Sequence, residues 1–171
     1  YALEQNRADR KRYPAVNPID SYSKYLEYPE IREHLAERIM PGWVEMVEKT
    51  KNIIRKGRDA QEQINILGDD GVPMNYHEVF WKSELVDFVI LQQDAFDAVD
   101  ALCPIERQKF MLSLVLEICD HAFEFENFEE CRKFFKELIN YLRQMNYAEF
   151  HSEGFENYAE KIHKLIEDYG K

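Results

Sequence analysis

The stretch VFWKSELVDFVILQQ, residues 79–93, decides the fold. As a helix it is apolar on nearly every side, with Phe80, Trp81, Leu85, Val86, Val89 and Leu91 spread round the axis. A surface helix carries one apolar stripe, whereas one that is apolar all round needs neighbours on every side. The segment therefore predicts a central helix wrapped by others. Asn75 followed three residues later by Glu78 matches a capping pair and predicts where that helix starts. Just before it, LGDDGVP at residues 67–73 places Gly68, Gly71 and Pro73 in a turn.

Working outward, the pattern is helical almost throughout from Glu30. Pro41 can open a helix through Trp43, Val44, Val47 and Ile54, ending near Gly57 or running on less regularly to Leu67. Pro104 opens another, IERQKFMLSLVLEIC, residues 105–119. Asn127 with Glu130 makes a second capping pair, behind which Phe128, Cys131, Phe135, Leu138, Leu142 and Met145 recur at helical steps. Phe155, Tyr158, Ile162, Leu165 and Tyr169 form a last stripe. Nothing alternates with period two long enough for a convincing strand. The expectation is an all-α fold: a bundle of about six helices over residues 29–171, preceded by an irregular N-terminal arm, residues 1–28.

The bulk numbers fit such a domain. In 171 residues, 45% are apolar and 13% aromatic, enough for a core and against disorder. No apolar run approaches the roughly eighteen residues of a membrane span. The chain starts at Tyr1 with no signal-peptide pattern, which reads as a piece of something larger. The formal charge is −11 and uneven. Residues 1–60 carry twelve Lys and Arg against ten Asp and Glu; the rest carry ten against twenty-three. Such a surface repels phosphate backbones and anionic lipid, so neither nucleic acid nor direct membrane insertion is expected. Cys103, Cys119 and Cys131 form no CxxC pair and sit among apolar residues, as buried free thiols of a reduced cytosol do.

Catalytic machinery is not visible. None of the six glycines starts a GxxxxGK[ST] loop, and there is no GxGxxG, GxSxG or HExxH. Glu160 and His163 form one ExxH, but a di-iron bundle needs two such motifs and two further carboxylates. His121, four residues after Glu117, suits a surface ion pair.

The arm holds the chain's oddest segment, YPAVNPIDSYSKY, residues 13–25. Pro14 and Pro18 push Tyr13 and Asn17 into extended backbone, so Tyr13 is displayed by a stiffened chain. This loop resembles the "YPAVDPLDSxSR" loop of F-type ATP synthase beta subunits, and more closely the "FPAINxxxSYSxY" loop of V-type and A-type catalytic A subunits. Downstream, LQQDAFDAVDALCP, residues 91–104, resembles "LQQNAFDPVDTYCP" of the same A subunits. Order and spacing agree, and the resemblance covers the chain to about Glu117.

The resemblance implies the C-terminal helical domain of the catalytic A (alpha) subunit of a V-type or A-type rotary ATP synthase, with the arm ending its nucleotide-binding domain. It implies ATP or ADP with Mg2+ in the complete subunit and none for this piece alone, whose phosphate-binding loop would lie upstream. Tyr13 and Phe96 would flank adenine, with Gln92 and Ala95 at its border. If the helix continued past Gln92, that residue and Phe96 would share one face; Gln93 would point elsewhere. Implied partners are the B subunits of an alternating hexamer and the central stalk, met by the tip Asp69, Asp70, Gly71, Val72 and Pro73. The implied location is cytoplasmic, peripheral to a membrane, within a proton- or sodium-translocating two-sector ATPase. Two departures stand out: Ala98 replaces the proline usual after AFD, and the tip is far less acidic than its beta-subunit counterpart. Without the resemblance, Phe96 reads as a core residue, Tyr13 as a boundary anchor, and the whole as a helical protein-interaction module with no nucleotide contact.

Overall fold

The computed structural model describes residues 1–170. In chain order the elements are β1 (Ala2–Leu3), α1 (Gln5–Asp9), β2 (Val16–Asn17), α2 (Pro29–Arg38), α3 (Trp43–Leu67), α4 (Met74–Val86), α5 (Ile105–Asp120), α6 (Phe128–Tyr147) and α7 (Glu153–Tyr169). Short 3-10 turns occupy Lys24–Glu27 and Asp69–Gly71. The fold is all-α; among the described residues the only sheet is the two-residue pairing of β1 with β2 inside the arm, and a single antiparallel bridge joins Phe123 to Gly170.

α4 is the central helix that its apolar circumference demands. Leu85 and Val86 are fully buried, and α3, α5 and α6 all pack on it. It passes directly into one wide π turn, Asp87–Leu91, closed by the Gln92 amide donating to the Asp87 carbonyl at 3.0 Å. A π turn inserts an extra residue into the ladder and strands a carbonyl. Here the Asn146 side chain donates to Val89 O at 2.9 Å, which satisfies that turn and docks the end of α6 against it.

Gly57 does not end α3, which runs on to Leu67 and stops at Gly68, where φ is +82°. Gly57 is the point where α3 meets α4: a Cβ built there would lie 2.0 Å from Ser83 Cβ. With Ile54 and Ala60 buried on either side, the packed face carries the helix through a residue of poor intrinsic propensity. The start of α4 also departs from expectation. Pro73 takes the cap position with ψ 153°, and Asn75 lies within the first turn, capping nothing. The second capping pair holds: Asn127 Oδ1 accepts from the Glu130 amide at 3.0 Å, and Glu130 reaches back to the Glu126 amide at 2.7 Å.

α6 and α7 close the core through Cys131, Phe135, Leu138, Leu142, Met145 and Phe155, all without exposed surface. Of the thiols, only Cys131 is fully buried; Cys103 and Cys119 are partly exposed. Burial nevertheless pushes both the Cys119 and Cys131 thiols up to about 12, so neither is a nucleophile near neutrality. His121 ends α5 and leans on Phe123, centroids 5.2 Å apart; it forms no ion pair with Glu117.

The arm is irregular but clamped. Arg7 bonds Asp87 at 2.6 Å and Arg12 bonds Glu84 at 2.7 Å, with Arg12 also 3.3 Å from Asp87 and its guanidinium 3.4 Å from the Phe88 ring centroid. Both arginines are buried. Removing one partner from such a pair costs about 3–5 kcal/mol, because the other charge stays in place without compensation. The arm is thereby fixed at the C-terminal end of α4, where the chain enters the π turn.

Candidate functional site

Beyond Leu91 the chain stops being helical: Gln92 has φ −89° and ψ 134°. Gln92 and Phe96 therefore do not share a helix face, as a continuing helix would have required. The π turn exhausts the ladder, and a loop of residues 92–104 takes over. Three aspartates at a spacing of three organise it. Asp94 Oδ1 accepts from the Phe96 amide at 3.0 Å, and Asp97 Oδ1 accepts from Val99 and Asp100 amides, both at 2.9 Å. Asp100 Oδ2 accepts from the Asp94 amide at 2.6 Å. Side-chain acceptors of this kind mimic a backbone turn and fix it. The Asp97 pair bonds the segment that Ala98 leaves without a proline.

Two residues tie this loop to its surroundings. The Gln93 side chain turns to the Asp100 carbonyl at 2.7 Å, and its amide donates to the Tyr13 carbonyl at 3.1 Å, joining loop to arm. Arg107 on α5 is almost wholly buried. It donates to the Met145 carbonyl at 3.1 Å and to that of Asn146, and reaches Val99 O at 3.5 Å. Carbonyls at the end of α6 are the natural partners of a buried guanidinium, since they carry the negative pole of the helix. Burial raises the Asp100 carboxyl above its usual range, against the lowering by the Asp94 amide and the Arg107 charge.

Arm, loop and α6 enclose one cleft of about 280 Å³. Tyr13, Gln92, Ala95 and Phe96 all line it, so the four residues named from the sequence are brought together. Phe96 is 101% exposed and Tyr13 54%, so Phe96 is no core residue. An aromatic ring left fully in water on a loop held by its own hydrogen bonds is a ready contact surface. Gln93, expected to point elsewhere, also lines it, and Phe88, Asp94, Asp100, Arg143, Asn146 and Tyr147 complete the wall. The aspartates were readable as turn formers at i, i+3 and i+6; the α6 residues left no local signal. Gln92 Oε1 is enclosed and meets no donor among the described residues.

At the other end of α4 the tip is a short turn. Asp69, Asp70, Gly71 and Pro73 are exposed and Val72 half-buried, with Ile66 and Leu67 exposed beside them. His77, buried at 4% exposure, holds the turn through a 2.9 Å contact between Nε2 and Asp69 O and stacks on Phe128. Glu160 and His163 lie exposed on α7. Among the described residues, no three of His, Cys, Asp and Glu gather as a metal site, and no helix is long and apolar enough to cross a membrane.

Fold and cleft define the class: an all-α bundle domain that carries an aromatic-rimmed cleft at one end of its central helix. The chain belongs to the family of the C-terminal domain of V and A type ATP synthase, which matches residues 32–130. It is similar to the V-type ATP synthase alpha chain of Chlamydia abortus, 37% identical over 165 residues, covering 96% of this chain and 27% of that relative. The corresponding proteins of Chlamydia muridarum and Chlamydia trachomatis serovar D are each 39% identical over the same share. The chain thus spans about a quarter of the length of the curated relatives it matches.

Proposed function

We propose that this chain is the C-terminal part of the catalytic A subunit of a V-type rotary ATP synthase, and that its cleft closes the adenine side of the nucleotide pocket. One observation carries the reading: Tyr13 and Phe96, 83 residues apart in sequence, line a single cleft beside Gln92 and Ala95. A purine offers two flat faces that aromatic rings cover with little entropy lost. Tyr13, on a proline-braced strap, and Phe96, on a loop fixed by three aspartates, are both ordered before a base arrives, which lowers the cost of binding. Ala95 leaves room for a flat ligand. Gln92 lines the cleft beside Ala95, where its side chain would border the ring.

The phosphates and Mg2+ would be held upstream of Tyr1, so these residues alone perform no hydrolysis. They position the base; the chemistry belongs to the complete two-sector ATPase. B subunits and the central stalk are the partners this role requires, with Asp69, Asp70, Gly71, Val72 and Pro73 as the stalk contact. Such an assembly works at the membrane surface without inserting this domain.

The test is Phe96→Ala in the complete subunit. Base stacking on an aromatic is worth about 1–3 kcal/mol, so the KM for ATP should rise roughly five- to a hundredfold while kcat changes little. An unchanged KM would leave the domain as a helical interaction module without a base contact.

A further inference from the structure

We propose that Arg143, on α6, is a nucleotide contact: its guanidinium donates to ring-nitrogen acceptors at the edge of the base held between Tyr13 and Phe96. This rests on the adenine reading of the cleft and adds a polar recognition element from a helix outside the two signature segments. Arg143 is the one cation among the residues lining the cleft. Its guanidinium carbon lies 5.7 Å from the centroid of Phe88, itself a wall of the cleft, so the side chain is laid along that wall.

The contrast with Arg12 is instructive. Arg12 sits 3.4 Å from the same ring but has its charge answered by Glu84 and Asp87. The Arg143 side chain has no carboxylate within ion-pair distance and no hydrogen-bond partner among the described residues. The two carboxylates of the cleft have other work: Asp94 accepts from Phe96 and Asp100 from Asp94. A half-buried guanidinium with five donors and no acceptor is poised for a ligand that brings one. Stacked rings hold a base by its faces and leave its edge free. An arginine at that edge can donate to ring nitrogens in a fixed plane, which stacking alone does not read.

The experiment compares Arg143→Met and Arg143→Gln with Phe96→Ala in the complete, assembled enzyme. Loss of one charge-assisted bond predicts a KM for ATP raised about tenfold in Arg143→Met, with kcat nearly unchanged. Arg143→Gln, which keeps a donor, should fall between it and the unaltered enzyme. A second measurement uses the wild-type complex: MgATP should slow modification of Arg143 by phenylglyoxal, followed by mass spectrometry. Phe96→Ala raising KM while Arg143→Met leaves it unchanged and MgATP gives no protection overturns the Arg143 contact alone. Phe96→Ala leaving KM unchanged overturns the base cleft itself.

Discussion

At the scale of the residue, the aromatic loop shows how side-chain acceptors replace a missing proline. Asp97 Oδ1 receives two amides at 2.9 Å, and Asp94 holds the Phe96 amide at 3.0 Å. Asp97→Ala removes both bonds of the first, leaving the turn free to sample other backbones. At about 1–2 kcal/mol for such bonds in a partly exposed loop, we expect a KM for ATP raised several-fold with only a small drop in melting temperature. Asp97→Asn keeps the acceptor and should restore the KM; if it does not, the carboxylate acts through its charge rather than through the turn. Tyr13 and Phe96 were legible as candidate contacts only through the resemblance of two short segments to family motifs; what the structure adds is that both line one cleft. Arg107 and Arg143 were not. What gives them meaning is the end of α6 arriving beside the loop, and no spacing within either segment announces that meeting.

The elements follow the same division. Apolar periodicity fixed α6 and α7, and an apolar circumference placed α4 at the centre, because burial dominates their energetics. Where backbone approach or a cap decides, pattern reading was ambiguous. Gly57 looked like a possible stop and is instead the contact that lets α3 lie against α4. Asn75 looked like a cap, yet Pro73 occupies that position. The π turn is equally silent in sequence: VFWKSELVDFVILQQ reads as one helix, and only the amide of Gln92 reaching Asp87 shows the extra residue. The glycine contact is testable. In Gly57→Ala the new Cβ would meet Ser83 Cβ at 2.0 Å and Ser83 Cα at 3.5 Å, so the helices must separate. Overpacking of this kind costs about 1–3 kcal/mol. The double variant Gly57→Ala with Ser83→Gly should be less destabilised than the sum of the two single variants, as read by chemical denaturation. Strict additivity would mean the two positions do not press on each other.

For the whole molecule, the decisive arrangement is that one continuous helical rod joins the two candidate sites. α4 and its π turn run from the tip at Pro73 to the cleft at Gln92, eighteen residues or roughly 25 Å at the usual rise. The rod is gripped along its length: by α3 at Gly57, by the arm through Arg7 and Arg12, and by α6 through Asn146. A rod held in this way would carry a displacement at one end to the other as a rigid body, which is what coupling two distant sites requires. The tip itself is set by three features. His77 bonds the Asp69 carbonyl, Pro73 fixes the entry to α4, and Gly71 leaves only 3.0 Å between a built Cβ and Leu67. Replacing Gly71 and Pro73 together by alanine crowds the turn and frees its exit, without touching any residue that lines the cleft. In the complete enzyme this should leave the KM for ATP within about twofold, since the sites share no contacts. Ion transport per ATP, or the torque on the stalk, should fall, because a yielding tip takes up motion that the rod would otherwise transmit. Unaltered transport and torque would remove the tip from the coupling path and leave α4 as a scaffold for the cleft alone.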